Sequence, residues 1–86
     1  MSAAHDQIRE YIAKILRETA GDTDPIGDTD SLVVSGRLSS VDVVDVLTFL
    51  ESHFDFSMDP RRFDPARFDT VNNIVAMLDE QAARAG

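Results

Sequence analysis

The chain contains no cysteine and no tryptophan among its 86 residues, and only three prolines and four glycines. Without cysteine it can form neither a disulfide bond nor a thiolate metal site. No apolar run approaches the roughly 20 residues that a membrane-spanning helix requires. The first residues also lack the basic segment and apolar run of a secretory signal. We therefore expect a cytoplasmic protein with no membrane partner.

Basic residues are scarce as well, since there are 8 of them against 16 acidic residues, and the net charge is −8. A nucleic-acid backbone would repel this charge, so we expect no nucleic-acid partner. A basic surface on another protein is the natural complement. With 43% hydrophobic residues, the composition is that of a globular protein. The length fits one domain over residues 1–86, which we expect to be a monomer.

The first helix is predicted from about Ala3 to Glu18, and Gly21 is expected to end it. Residues 22–36 then form an unusually long loop, because they contain proline, glycine and four aspartates. Leu32, Val33 and Val34 interrupt this polar stretch and are expected to pin the loop to the core. The apolar face that we assign to the first helix comprises Ile8, Tyr11, Ile12, Ile15 and Leu16.

The second helix is predicted to begin at Ser39 or Ser40 and to end near His53. Ser39 followed by Asp42 resembles a capping box, with Ser39 as the cap and Ser40 in the first turn. A glutamate and two aspartates are assigned to the solvent side, namely Asp42, Asp45 and Glu51. The buried side is predicted to comprise Val41, Val44, Val46, Leu47, Leu50 and Phe54.

The remaining third of the chain is predicted to be an extended connector, a short helix and a last main helix. Residues 54–58 alternate like a strand but are too isolated for a sheet, so Phe56 and Met58 should point inward from a connector. Two prolines bracket a short helical turn at 61–63, and Thr70 caps the last helix, which frays from Gln81 onward. Phe68 should pack into the core just before the last helix. The predicted fold class is all-α, with three main helices and one short one.

The segment from Gly36 to Phe54 resembles the phosphopantetheine attachment region of acyl, peptidyl and aminoacyl carrier proteins. In that family a serine opens a helix and lies fourteen positions before a phenylalanine, as Ser40 lies before Phe54 here. An apolar residue, Val41, follows the serine. The sequence Asp-Ser-Leu at 30–32 and the connector after Phe54 are similar to the family's pattern too, so the resemblance covers nearly the whole chain.

This resemblance implies a stand-alone carrier that catalyses nothing itself. A phosphopantetheinyl transferase would attach 4′-phosphopantetheine from coenzyme A to Ser40, with Ser39 as the alternative hydroxyl. The arm's thiol would then hold a thioester between an acyl- or aminoacyl-loading enzyme and downstream synthases or transferases. The implied partner-binding residues are Val41, Asp42 and Asp45, with Arg61 and Arg62 as a second patch.

Two positions depart from the family's pattern. Ser39 stands where an aspartate usually precedes the modified serine, which is similar to some carriers of specialised pathways. Arg61 and Arg62 stand where many fatty-acid carriers are acidic, which suggests a dedicated set of partners. We therefore expect a secondary-metabolite, polyketide or nonribosomal peptide pathway. The alternatives are an unmodified carrier-like interaction module and a housekeeping fatty-acid carrier.

The sequence offers few other candidate sites. The aspartates from Asp22 to Asp30 have a spacing similar to that of a calcium loop, but Val33 replaces the required glutamate, so we interpret them as turn residues. His5 and His53 lack a cysteine or an obvious partner, so we expect no metal site. Neither histidine belongs to a recognisable serine or cysteine triad, so we expect no enzyme activity.

Overall fold

The computed structural model describes residues 3–54 and 56–85, and all regular structure within them is helical. The predicted all-α class is therefore confirmed. The predicted short helix is instead two consecutive 3₁₀ turns, since Asp64 caps a second turn by accepting the Ala66 N–H at 3.0 Å. The elements are α1 (Ala3–Ala20), α2 (Ser40–His53), the first 3₁₀ turn (Pro60–Arg62), the second 3₁₀ turn (Pro65–Phe68) and α3 (Val71–Ala85).

The helix α1 contacts both α2 and α3. The second 3₁₀ turn packs against α2 and α3 and inserts Phe68, which is fully buried. A ring of α1 also stacks on a ring of α2, with 4.1 Å between the centroids of Tyr11 and Phe49. The remaining core residues of the helices include Ile8, Ile12, Leu16, Val43, Val46, Leu50, Val71 and Ile74.

The ends of the helices follow their caps closely. The helix α1 runs two residues past the predicted end and stops at Gly21, whose φ of +64° is the left-handed conformation of a helix cap. Thr70 caps α3 as predicted, because its hydroxyl accepts the Asn73 N–H at 3.0 Å. The helix α3 was predicted to fray from Gln81 onward, and in the structure it continues to Ala85 through residues that favour helix.

The buried face of α2 differs from the prediction. Val41 and Val44 are 72% and 48% exposed, whereas Val43 is fully buried. Because α2 begins at Ser40, positions 43, 46 and 50 recur at helical spacing and face the core. The valines are so closely spaced in this helix that the apolar pattern alone left its phase ambiguous.

The connector after α2 is extended, as predicted, with Phe56 buried and Met58 half-buried. The side-chain amide of Gln81 holds it against α3, since it both accepts the Ser57 N–H and donates to the Ser57 carbonyl. Asp55 of the predicted connector and Gly86 lie outside the described residues. Among the helices that the structure describes, none is both long and apolar enough to cross a membrane.

Candidate functional site

Ser40 is the first residue of α2, and its side chain is exposed. The residue before it, Ser39, is extended and caps the helix. The Ser39 hydroxyl accepts the Asp42 N–H at 3.2 Å, and the Asp42 carboxylate accepts the Ser39 N–H at 3.1 Å. The predicted capping box is confirmed. Within residues 3–54 and 56–85, the Ser40 hydroxyl has no hydrogen-bond partner, so no internal bond occupies it.

The first turn of α2 also has unused backbone donors. The Asp42 N–H donates to the Ser39 hydroxyl, and the Val43 N–H donates to the Ser39 carbonyl at 3.0 Å. The N–H groups of Ser40 and Val41 have no acceptor in the part of the chain that is described. They lie at the positive end of the helix dipole, where an anion such as a phosphodiester is stabilised. This turn therefore fits a serine-linked phosphate.

The loop before α2 is fastened to itself by Arg37. Its guanidinium donates to both carboxylate oxygens of Asp22, at 3.0 and 3.2 Å. It also donates to the carbonyls of Asp24 and Pro25. The hydrogen bonds from Arg37 hold the pKa of Asp22 below its ordinary value. Both ends of the long loop are thus joined three residues before Ser40.

A second fastening comes from Asp69, between the second 3₁₀ turn and α3. One oxygen of its carboxylate accepts the Ser31 hydroxyl at 2.9 Å, the Val33 N–H at 2.9 Å and the Val34 N–H at 2.8 Å. Its carbonyl accepts the Leu32 N–H at 2.7 Å. The Val34 N–H is the largest cause of a lowered pKa of Asp69. The residue was missed in the sequence because nothing there links position 69 to positions 31–34.

The prediction that three apolar loop residues pin the loop to the core holds for part of them. Leu32 is fully buried and Val33 is half-buried. Val34, however, is 78% exposed. Val34 lies within a turn, in which the Gly36 N–H bonds to the Val33 carbonyl and Gly36 adopts a φ of +87°. The side chain of Val34 is therefore directed outward from an ordered turn.

The two acidic residues expected to contact partners have different surroundings. Asp45 is exposed, and its carboxylate has no ion pair within 4 Å among the described residues. Asp42 is half-buried, and its carboxylate bonds to the Ser39 N–H. Asp42 therefore shapes the start of α2, whereas Asp45 offers its charge to solvent.

Arg61 and Arg62 are exposed in the first 3₁₀ turn. The Arg61 guanidinium pairs with Asp59 at 3.1 Å, whereas Arg62 has no ion pair in the part of the chain that the structure describes. No contact joins this turn to α2 among the described elements. The structure therefore does not bring the two arginines together with Ser40, and they form a separate surface.

The aspartates with calcium-like spacing have other partners in the structure. Asp22 pairs with Arg37, Asp28 pairs with Arg9, and Asp30 accepts the Gly27 N–H at 2.7 Å. Over residues 3–54 and 56–85, no group of three such side chains is arranged to hold a metal ion. His53 lies exposed in the last turn of α2, with its ring 4.4 Å from that of Phe49.

The decisive comparison is with protein families. A family model described as the phosphopantetheine attachment site matches residues 6–78. The chain belongs to this family. Domains of the phosphopantetheine attachment family are carriers rather than enzymes, and they bear a covalently attached 4′-phosphopantetheine. No curated protein and no solved structure matches the chain in the corresponding comparisons.

Proposed function

We propose that Ser40 is the attachment residue and that the chain is an acyl or aminoacyl carrier. The observation that carries this proposal is the exposed hydroxyl at the first position of α2, which has no hydrogen-bond partner within residues 3–54 and 56–85. It lies beside two backbone N–H groups that have no acceptor in the described part of the chain. Such donors stabilise the negative phosphodiester that attachment creates.

The competing hydroxyl is that of Ser39. It accepts the Asp42 N–H and so caps the helix. Modification of Ser39 would remove this cap, at a cost of about 1 kcal/mol. Modification of Ser40 leaves the capping box intact, which favours Ser40.

In the proposed modification, Ser40 Oγ attacks the pantetheine-bearing phosphorus of coenzyme A. A phosphodiester bond forms and the pyrophosphate bond breaks, so that adenosine 3′,5′-bisphosphate leaves. The hydroxyl proton passes to a base of the transferase, because no base is bonded to Ser40 among the residues that the structure describes. When bound, the arm supplies a thiol that holds the cargo as a thioester. The protein's own contribution is to present the site and to keep the cargo at high effective concentration near its enzymes.

The proposed docking face is the first half of α2, with Val41 and Asp45 as direct contacts. Val41 is exposed beside Ser40, and Asp45 adds an unpaired charge one helical turn further on. Asp42 supports this face through the cap. Arg61 and Arg62 form a second, separate patch, which suits an acidic region of a partner.

We further propose that the partners are a phosphopantetheinyl transferase, a loading enzyme and downstream synthases or transferases of a specialised pathway. Ser39 in the place of the usual aspartate and the arginines of the first 3₁₀ turn support this assignment. Both features change the charge that partners of a general fatty-acid carrier would meet.

The test is the intact mass of the chain after incubation with coenzyme A and a broad-specificity phosphopantetheinyl transferase. Wild type should gain one phosphopantetheine, Ser40→Ala should gain none, and Ser39→Ala should still be modified. A gain that persists in Ser40→Ala and is lost in Ser39→Ala would move the site to Ser39. No gain in wild type, also with transferases from the source organism, would favour the unmodified interaction module.

A further inference from the structure

The exposed apolar residues of the chain are concentrated around Ser40. Among the described residues, three large hydrophobic side chains are exposed: Val34, Val41 and Val44. All three lie within six positions of Ser40 in the sequence. Single exposed apolar residues are ordinary, but their concentration at one site indicates a surface that another molecule covers. Val34 is the most exposed of them, at 78%, and it belongs to the loop rather than to α2.

Val34 is held in place although its side chain faces solvent. Its N–H donates to the Asp69 carboxylate at 2.8 Å, and the neighbouring Val33 N–H donates to the same oxygen at 2.9 Å. Hydrogen bonds to a charged acceptor are stronger than those between neutral groups. A carboxylate 35 positions away in the sequence therefore fixes the backbone on which Val34 is presented.

The turn that carries Val34 adjoins the start of α2. The Leu38 N–H bonds to the Leu32 carbonyl at 2.8 Å, which brings the two ends of the turn together just before Ser39. Counting two residues on each side of this bond, Val34 and Ser40 are at most about 20 Å apart, because an extended residue spans about 3.5 Å. An interface of ordinary size covers a disc of roughly 16 Å radius. The actual separation is shorter than this limit, because residues 33–36 form a turn and are not extended, so the turn lies near the edge of the area that an enzyme centred on Ser40 covers.

From this arrangement we infer that Val34 is a contact residue for the enzyme that modifies Ser40, and that Asp69 is the positioning residue that presents it. The occupant is the apolar rim around the active-site entrance of the phosphopantetheinyl transferase. This inference rests on the proposed function of Ser40. Asp69 orders the turn before the transferase binds. Binding therefore does not incur the entropy cost of ordering this turn.

The first part of the test uses no enzyme and measures how firmly Asp69 holds the backbone at Val34. Amide hydrogen exchange is followed by NMR in wild type, Asp69→Ala and Asp69→Asn. In Asp69→Ala the Val33 and Val34 amides should exchange about 10- to 100-fold faster, as expected when a bond to a charged acceptor is lost. Asp69→Asn retains an acceptor oxygen and should restore much of the protection. The Asn72 amide, which bonds to the Asp28 carbonyl at 3.1 Å, is the internal reference for an intact fold.

The second part of the test is a double-mutant cycle, in which transfer of phosphopantetheine to each variant is followed by mass. Val34→Ala should raise KM about 3- to 10-fold with little change in kcat, because a contact made equally in the ground and transition states is lost. Asp69→Ala should have a similar effect, and the double variant should be no worse than Asp69→Ala alone. Asp64→Ala is the matched control, since Asp64 caps the same 3₁₀ turn at its other end. Its effect should simply add to that of Val34→Ala.

Several outcomes would overturn the inference. Additive effects of Val34→Ala and Asp69→Ala would mean that Asp69 does not act through Val34. Unchanged KM in Val34→Ala would remove the contact itself. If Asp69→Ala does not fold, Asp69→Asn and Ser31→Ala must show graded losses in Val34 protection and in KM together, and the absence of that correlation is equally decisive. Failure of the proposed function is distinct, because wild type would then take up no arm at all.

Discussion

Ser39 and Asp42 cap α2 reciprocally, each accepting the backbone N–H of the other, at 3.2 and 3.1 Å. Ser40 lies between them, and its hydroxyl has no hydrogen-bond partner among the described residues. The two adjacent serines therefore have different surroundings: Ser39 stabilises the helix, and Ser40 keeps an exposed hydroxyl.

A first prediction concerns the stability of variants at these serines. Ser39→Ala should lower the free energy of unfolding by about 1 kcal/mol, because the helix loses its cap. Ser40→Ala should leave it nearly unchanged, since alanine is favourable in a helix and no bond of the Ser40 hydroxyl is lost. Urea denaturation of both variants tests this difference. Equal losses would show that Ser39 is not the functional cap.

A second prediction separates the two aspartates of α2. Asp45→Lys should lower kcat/KM for arm transfer several-fold at low salt. The loss should shrink at about 0.5 M salt, because ions then screen charges over a few ångströms. Asp42→Lys should slow transfer too, but it should also lower the melting temperature because the cap is broken. Asp79→Lys on α3 makes the same charge change away from this face. If Asp79→Lys slows transfer as much as Asp45→Lys, the effect is one of net charge and not of docking.

A third prediction concerns Phe68, which fills the core between α2 and α3. Phe68→Ala should cost about 3–5 kcal/mol of unfolding free energy, through lost burial and a cavity. A domain of this size has only about 4–13 kcal/mol in total. Phe63→Ala removes the half-buried neighbouring ring, whose centroid lies 5.8 Å away, and should cost clearly less. Equal losses in urea denaturation would contradict the assigned role of Phe68.

A fourth prediction follows from the lowered pKa of Asp69. The hydrogen bond from the Val34 N–H is the largest cause of that shift from the ordinary value of 3.8. A carboxyl whose pKa is lower in the folded state stabilises the fold above its unfolded pKa. That contribution is lost as the pH falls through the lower, folded value. Asp69→Asn should therefore flatten the decline of stability below about pH 4.

The check is urea denaturation of wild type and Asp69→Asn between pH 7 and pH 2, with Asp64→Asn as the control carboxylate. Parallel curves for wild type and Asp69→Asn would mean that Asp69 does not contribute to the acid sensitivity of the fold.

The parts of the fold that the sequence could predict are those governed by local rules. The caps at Ser39 and Thr70 and the left-handed Gly21 follow from residue type and position, and all three are found in the structure. The second 3₁₀ turn was missed although Asp64 followed by Pro65 is a recognisable start of a helical turn.

The rest depended on tertiary contacts. Val41 and Val44 were assigned to the core because α2 is apolar on more than one side, and only packing against α1 and the second 3₁₀ turn decides which valines are buried. The bonds of Asp69 to residues 31–34 could not be predicted, since no periodicity or motif links an aspartate after a 3₁₀ turn to backbone N–H groups more than 30 positions earlier. Attachment at Ser40 was inferred from the resemblance to carrier proteins and stays a prediction, whereas the absence of a hydrogen-bond partner for its hydroxyl among the described residues is visible only in the structure.

The contact of α1 with α3 has a consequence for the order of events during synthesis. Residues 3–20 leave the ribosome early, yet part of their apolar face waits for residues 71–85, and the turn at 31–34 waits for Asp69. A nascent chain that ends before Asp69 holds Ser40 on a loop that lacks its fastening. If attachment occurs at Ser40, as proposed, an enzyme that reads this folded surface should act only on chains in which Asp69 and α3 have already been made.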